Sequence, residues 1–133
     1  MPKNGDTFTV PIGDAQLKWG TFRKPTNRNP VDGESYFAIP KEMAVKYGIF
    51  NSNHSQTGFG YNEFYASSRD GFINNEVLLA QGCSKAGDPY AKNFAVKGDL
   101  KRIGDWFTYC KATTANKVKV TFTSSSTLIL EII

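Results

Sequence analysis

The chain has 133 residues, of which 40% are hydrophobic and 14% aromatic, and it carries a formal net charge of +4. This length fits one domain with its own hydrophobic core, so we expect a single domain over residues 1–133 rather than a disordered chain. No apolar run approaches the ~20 residues of a membrane helix, and no signal-peptide pattern opens the chain. The sequence therefore predicts a cytoplasmic protein that does not bind a membrane.

Period-two alternation of polar and apolar residues predicts the strands. In chain order we expect strands at residues 7–10, 16–22, 35–39, 63–67, 77–82, 117–123 and 127–133. The clearest is 117–123, in which Val118, Val120 and Phe122 share one face. Between 63–67 and 77–82, the dipeptide Asp70-Gly71 is typical of a tight turn.

Two short helices interrupt the strands. The first is expected to start at Pro40, a residue favoured at the first helical position, and to stop at Gly48. The second should follow a cap at Gly98 or Asp99, and its apolar face would consist of Leu100, Ile103, Phe107 and Cys110, widened by Trp106. About seven strands and two helices, with short connections, predict a mainly β fold: an antiparallel or mixed barrel whose ends the helices plug.

A basic, polar loop separates the second and third predicted strands. Residues 15–31 contain four cationic side chains and no acid, a composition suited to contact with a polyanion. The candidate contact residues here are Lys18, Arg23, Lys24, Thr26, Asn27, Arg28 and Asn29.

A second polar, cationic loop is expected at residues 83–94, between the strand 77–82 and the second helix. Its candidate contact residues are Gln81, Ser84, Lys85, Asp88, Tyr90, Lys92 and Asn93. Arg pairs with guanine, Asn and Gln with adenine, and Lys with phosphate, whereas Asp88 either accepts from cytosine or begins a turn with Pro89. Two such loops predict a pincer on the ~12 Å major groove of DNA, provided that both lie at the same end of the barrel.

A family resemblance rests on features that follow one another along most of the chain. These are Leu17-Lys18-Trp19-Gly20, an Arg-containing loop, Asn29-Pro30, an aromatic strand ending Ile39-Pro40, a short helix, a strand with Phe64-Tyr65, a strand ending Ala80-Gln81-Gly82, a Lys/Asn loop and a second short helix. In this order they resemble the B3-like DNA-recognition domains of bacterial restriction endonucleases, most closely those attached to phospholipase D-type nucleases.

The resemblance implies a seven-stranded B3-like pseudobarrel in a bacterial cytoplasmic protein. Residues 23–29 would form one arm and residues 84–93 the other, and together they would hold double-stranded DNA by its major groove. The domain would then serve as the specificity domain of a restriction endonuclease, with the nuclease domain in the same chain or in a partner chain.

The residues give no sign of catalysis by this chain. His54 is the single histidine, Cys83 and Cys110 match no metal or redox motif, and the twelve acids are scattered. Zinc, magnesium and phosphate-loop chemistry each need a ligand cluster or motif that the sequence lacks. We therefore expect no enzymatic activity, no cofactor and no metal. Two reduced thiols are expected, although a disulfide stays open.

Three other interpretations stay open. A single-strand or RNA-binding barrel would stack bases on exposed aromatic residues, for which the candidates are Phe59, Tyr61, Phe72 and Tyr90. A carbohydrate module would use Trp19 and Trp106, but a strand position and the buried face of a helix favour core packing for both. The sequence does not distinguish a protein-interaction domain from these.

Overall fold

A computed structural model of the chain describes residues 1–13, 35–52, 55–82, 89–99 and 101–133. The predicted strand 16–22, the first loop, and the second loop as far as Asp88 lie outside the described residues. His54, Cys83 and Leu100 lie outside them as well.

The described chain is mainly β, with two helices and a nearly closed, barrel-like sheet of seven strands, which confirms the predicted fold class. The strands are β1 (Thr7–Pro11), β2 (Phe37–Ala38), β3 (Glu63–Ser68), β4 (Glu76–Gln81), β5 (Asn93–Val96), β6 (Lys117–Phe122) and β7 (Thr127–Ile132). The helices are α1 (Lys41–Tyr47) and α2 (Arg102–Tyr109). The strand order is β1-β6-β7-β3-β4-β5-β2. The sheet is mixed, because β3 and β7 are parallel whereas every other pair is antiparallel.

The strand registers define two ends of the sheet. At the end that we call the α2 end, β1 finishes opposite Lys117 and β3 finishes opposite Leu130. At the other end, which we call the α1 end, β4 finishes at Gln81 opposite Asn93, the first residue of β5. The chain before β2 and the chain after β1 therefore lie at the α2 end, and the connection from β4 to β5 lies at the α1 end.

Aromatic rings fill the interior of the sheet. Phe94 packs against Phe37 and Phe64 at ring-centroid distances of 5.5 and 5.7 Å, and Phe64 in turn meets Phe122 at 5.6 Å. All four rings are fully buried. Burial of one side chain of this size stabilises a fold by about 1.5–3 kcal/mol, so this cluster is a large part of the core.

The two helices cover the sheet with buried faces, as predicted. Ala44 and Tyr47 are buried on α1, and Ile103, Trp106 and Phe107 are buried on α2. In the part of the chain that the structure describes, no helix is long and apolar enough to cross a membrane.

The helix boundaries differ slightly from the prediction. Pro40 is the residue before α1 rather than its first residue, but Gly48 ends the helix as expected, with a left-handed φ of 65°. For α2 the predicted cap is wrong, because the helix starts after Lys101 and has no side-chain cap. Asp99 instead accepts a hydrogen bond from the backbone N of Lys101 at 3.1 Å, which stabilises the turn before the helix.

The strand β5 was not predicted, and this is the main correction to the fold. Asn93 and Phe94 were assigned to the second loop, yet they begin β5 and pair with both β4 and β2. The strand has four residues, and the last three are all buried. A short run buried on both faces shows no alternation, so the period-two signal is lost.

Candidate nucleic-acid interface

The base of the second loop is held by the backbone at the α1 end. Lys92 donates its backbone N–H to the carbonyl of Gln81 at 2.9 Å, and its own carbonyl accepts from Ile39 at 2.9 Å. A Cβ on Gly82 would lie 3.3 Å from the backbone N of Lys92, so the chain entering the loop and the chain leaving it are closely packed. These contacts extend the β4–β5–β2 sheet to the edge of the loop.

A short segment after α1 fixes the returning side of the loop. Asn51 donates its backbone N–H to the carbonyl of Pro89 at 2.8 Å, and Ala91 donates to the carbonyl of Ile49 at 3.1 Å. The ring of Tyr90 stacks on Phe50 with centroids 5.7 Å apart and an interplanar angle of 18°. Residues 89–91 are thus ordered by backbone pairing and by one aromatic stack.

Four of the predicted contact residues lie on this ordered base: Gln81, Tyr90, Lys92 and Asn93. Gln81 and Asn93 are directly paired across β4 and β5, and both are half-buried, whereas Lys92 is exposed. Their neighbours Ala80 and Phe94 are fully buried, so strand alternation directs Gln81 and Asn93 to the outer face of the sheet. The other ten, from Lys18 to Asn29 and from Ser84 to Asp88, lie outside the described residues.

The polar side chains on this base do not form hydrogen bonds with one another. Among the described residues, the side chains of Gln81, Lys92 and Asn93 make no hydrogen bond or ion pair. Tyr90 differs, because one face of its ring is covered by Phe50. Three of the four residues therefore have polar atoms available to a partner.

The described residues that flank the segments 14–34 and 83–88 lie at opposite ends of the sheet. Gly13 follows β1 and Ser35 precedes β2, both at the α2 end, whereas Gly82 and Pro89 flank residues 83–88 at the α1 end. The arm predicted at residues 23–29 lies outside the described residues, so the pincer stays a prediction.

A groove of about 390 Å³ opens on the same outer face. It lies between the loop after α1 and the outer side of β3 to β5, and it is lined by Ser52, Thr57, Gly58, Asn62, Glu63, Leu79 and Lys97. Lys97 forms an ion pair with Glu63 across it. Sequence patterns did not indicate this pair, because its members are 34 residues apart and no motif includes them.

The groove is a neighbour of the second-loop base. Glu63 pairs with Leu79, and Leu79 pairs with Ala95, so one row of outward positions crosses three strands. The pair of Gln81 and Asn93 forms the next outward row, two residues further along each strand, or about 7 Å away. The groove and the predicted contact residues therefore belong to one continuous surface.

Asn62 has a structural role at the wall of the groove. It is 2% exposed, and its Oδ1 accepts from the backbone N of Gly58 at 2.9 Å. Its Nδ2 donates to the carbonyls of Asn51 and Gln56, each at 3.4 Å. A buried amide satisfied in this way holds the loop to the sheet.

The aromatic residues named for base stacking are paired with other rings. Phe59 stacks on Tyr65 at 4.5 Å, and Phe72 stacks on Tyr109 at 4.8 Å. Tyr61 packs near Phe50, whose ring also stacks on Tyr90. Phe59 and Tyr65 are 41% and 39% exposed, so both rings of this stack are accessible from solvent.

Asp70 is the centre of a polar cluster at the α2 end. Its carboxylate accepts from Ser68 Oγ at 2.7 Å, from the backbone N of Phe72 at 2.9 Å and from Trp106 Nε1 at 2.8 Å. Cys110 Sγ lies 3.3 Å from the same carboxylate. Desolvation raises the pKa of Asp70, but the hydrogen bonds together lower it by a larger amount. The resulting pKa is about 2, below the ordinary value of 3.8.

The thiol in this cluster is not activated. Burial raises the pKa of Cys110 to about 11, helped by its hydrogen bond to Asp70 and by the negative charge of that carboxylate. A nucleophilic thiol needs a lowered pKa. Trp106 is fully buried, as the sequence predicted, so it cannot serve as a sugar platform.

Arg102 is also committed to the fold. Its Nε donates to Glu76 Oε1 at 3.0 Å, and its second terminal nitrogen donates to the carbonyl of Phe72 at 2.8 Å. The guanidinium carbon lies 4.3 Å from the centre of the Phe72 ring. Its Nε, one terminal nitrogen and one face of the guanidinium are thereby used within the protein.

Within the described ranges, no group of three or more His, Cys, Asp or Glu residues is placed to hold a metal ion. Comparisons of the chain with protein-family models, with curated proteins and with solved structures give no match. The geometry of this surface and the resemblance of the sequence to B3-like domains are therefore the two grounds for inferring a function.

Proposed function

We propose that this chain is a sequence-specific recognition domain for double-stranded DNA, the specificity domain of a restriction endonuclease. The observation that carries the proposal is the ordered base of the second loop. There Gln81, Lys92 and Asn93 present polar atoms without partners among the described residues, on a rigid β-sheet beside a basic loop.

The chemistry of these three side chains suits a DNA surface. Gln and Asn form bidentate hydrogen bonds with adenine in the major groove, and Lys neutralises phosphate. Because the backbone that carries them is fixed on both sides by hydrogen bonds, little order has to be gained on binding. The nearly closed sheet with two helices also supports the proposal, since it is the architecture that the B3-like resemblance implies.

The ordered base suggests how the second loop meets the DNA. Gln81, Lys92 and Asn93 lie where this loop leaves and rejoins the sheet, so in the proposed complex they contact the duplex together with residues 84–88 in the ~12 Å major groove. Residues 23–29 supply the other arm, as the B3-like resemblance implies.

The proposal assigns no catalysis to this chain. Cleavage would belong to a nuclease domain in the same chain or in a partner chain.

A single-strand or RNA-binding module is the second candidate, favoured by the exposed stack of Phe59 on Tyr65. Bases would stack on the outer ring of that pair. Competition between duplex and single-stranded oligonucleotides separates the two functions. A duplex preference of less than a few fold would favour this second candidate.

Selection from a randomised duplex pool tests the main proposal directly. A sequence motif should be enriched, and affinity for the selected duplex should fall steeply with salt because phosphate contacts release counterions. If no motif is enriched, the claim of specific recognition fails.

Variants of the two loops then test the assigned contacts. Arg28→Ala and Lys85→Ala should each weaken binding to the selected duplex, by about 1–3 kcal/mol where the residue reads a base. Lys119→Ala removes the same charge from the outer face of β6, away from both loop borders, and should change the affinity little. Fluorescence anisotropy at several salt concentrations measures all three.

A further inference from the structure

We propose that the groove lined by Ser52, Thr57, Glu63 and Lys97 is a third contact site for the phosphodiester backbone of the bound duplex, with Glu63 acting as an internal competitor for Lys97. This inference rests on the proposed function, and it names contacts that neither loop supplies.

The position of the groove supports a backbone contact. It lies on the same outer face as Gln81 and Asn93, one row of residues away from them. The loop that forms its outer wall is tied to the second-loop base by the hydrogen bond from Asn51 to Pro89. A DNA strand that touches the second loop would therefore pass over the groove.

The side chains in the groove suit phosphate. Lys97 is 56% exposed, so its ammonium group is accessible from solvent, and the hydroxyls of Ser52 and Thr57 are further hydrogen-bond donors in the lining. Most of the lining residues carry polar side chains, and Leu79 is the one large apolar residue among them. Phosphate contacts of this kind position a protein on DNA without reading sequence.

Glu63 is the unusual member of the site. A carboxylate that is only 16% exposed repels a phosphate and holds the ammonium group of Lys97. To contact DNA, the ammonium group of Lys97 either leaves Glu63 for a phosphate or donates hydrogen bonds to both the carboxylate and the phosphate. The pair therefore lowers the affinity for DNA, and it keeps Lys97 neutralised in the free protein.

Opposite effects of two substitutions test this arrangement in the full chain with the selected duplex. Lys97→Met should reduce the slope of log affinity against log salt by about 0.9, which corresponds to about an eightfold loss at 0.1 M salt. Glu63→Gln should tighten binding about two- to fivefold, because it frees the ammonium group from its ion pair. Circular dichroism and thermal unfolding confirm that each variant is folded.

Two control variants carry the same changes of charge elsewhere. Lys119→Met and Glu131→Gln lie on the outer faces of β6 and β7, outside the groove. Both should leave the affinity and the salt slope within about twofold of the unmodified chain, since surface charges at a distance are screened.

The inference is overturned if Lys97→Met behaves like Lys119→Met, or if Glu63→Gln fails to bind more tightly than Glu131→Gln. If the unmodified chain binds the duplex and Arg28→Ala weakens that binding, such a result rejects the groove as a contact site and leaves the proposed function standing. When the unmodified chain binds no duplex at low salt, the proposed function fails together with the groove.

Discussion

The two ends of the sheet use polar side chains in opposite ways. At the α2 end, Asp70 takes hydrogen bonds from Ser68, Phe72, Trp106 and Cys110, and all of these groups belong to the protein itself. At the α1 end, the polar groups of Gln81, Lys92 and Asn93 have no side-chain partner among the described residues.

This difference separates a structural cluster from a binding surface. A buried donor such as Trp106 Nε1 needs an internal acceptor, because an unsatisfied one costs about 1–3 kcal/mol. Exposed polar groups on a rigid strand carry no such requirement, since water satisfies them until a ligand replaces it. Substitutions at the α2 end should therefore change stability, whereas substitutions at the α1 end should change binding.

The largest effect is expected from Asp70→Ala. The substitution leaves Trp106 Nε1 and the backbone N of Phe72 without their acceptor, so the free energy of unfolding should fall by about 3 kcal/mol. Asp105→Ala, in the first turn of α2, is the control and should cost less than about 1 kcal/mol. Urea unfolding measures both. Equal effects of the two substitutions would contradict a structural role for the cluster.

Alkylation of Cys110 should be slow, because its thiol belongs to the Asp70 cluster and has a raised pKa. Its pKa is about 11 instead of 9.0, so at pH 8 the thiolate fraction is about a hundredfold lower than in an unfolded chain. In a Cys83→Ser background, iodoacetamide should label Cys110 at a rate that rises sharply on denaturation, and by a smaller factor with Asp70→Asn, because burial is the larger cause of the raised pKa. Labelling as fast as that of a free thiol would show that the Asp70 cluster does not form in solution.

Lys92→Ala tests the α1 end. Loss of one phosphate contact should weaken binding to the selected duplex about eightfold at 0.1 M salt and reduce the salt slope by about 0.9. The melting temperature should stay the same, because the side chain is exposed and only its backbone is hydrogen-bonded in the sheet. A drop in stability without a change in salt slope would reverse the assignment of the two ends.

The smallest effect is the acid dependence of stability. The pKa of Asp70 is about 2 in the folded chain, below its ordinary value of 3.8. As the pH falls, the unfolded chain takes up the proton first, so stability from this group is complete above about pH 5 and is lost between about pH 4 and 2. With allowance for solvent screening the loss is about 1 kcal/mol.

Comparison with Asp70→Asn isolates that contribution. The difference in unfolding free energy between the two proteins should shrink as the pH falls through this window. A difference that stays constant down to pH 2 would mean that the Asp70 carboxyl has the same pKa in the folded and unfolded states.

Local patterns predicted most of the fold because most strands are buried on one face. The alternation of Val118, Val120 and Phe122 identified β6 directly, and Gly48 identified the end of α1. The pattern failed for β5, whose Phe94, Ala95 and Val96 are buried together. A strand enclosed on both sides has no polar face to mark its period.

The candidate surface could be predicted only in part. Gln81, Lys92 and Asn93 were identified because they border a loop of distinctive composition, which is a local property of the sequence. The Glu63–Lys97 pair and the contact of Trp106 with Asp70 join residues 34 and 36 positions apart. Such contacts depend on strand order and on helix docking, and no short motif encodes either.

The parallel pairing of β3 with β7 also determines how the chain folds. Among the described strands, it alone joins the block β1-β6-β7 to the block β3-β4-β5-β2. Within the first block, Thr7 pairs with Thr121, 114 residues away. Among the described strands, the backbone hydrogen bonds between the two blocks therefore form only after β7 has been synthesised. Folding dominated by such distant pairings takes about milliseconds to seconds. During that time the free edge of β3 in the β3–β4 hairpin stays unpaired until β7 adds to it.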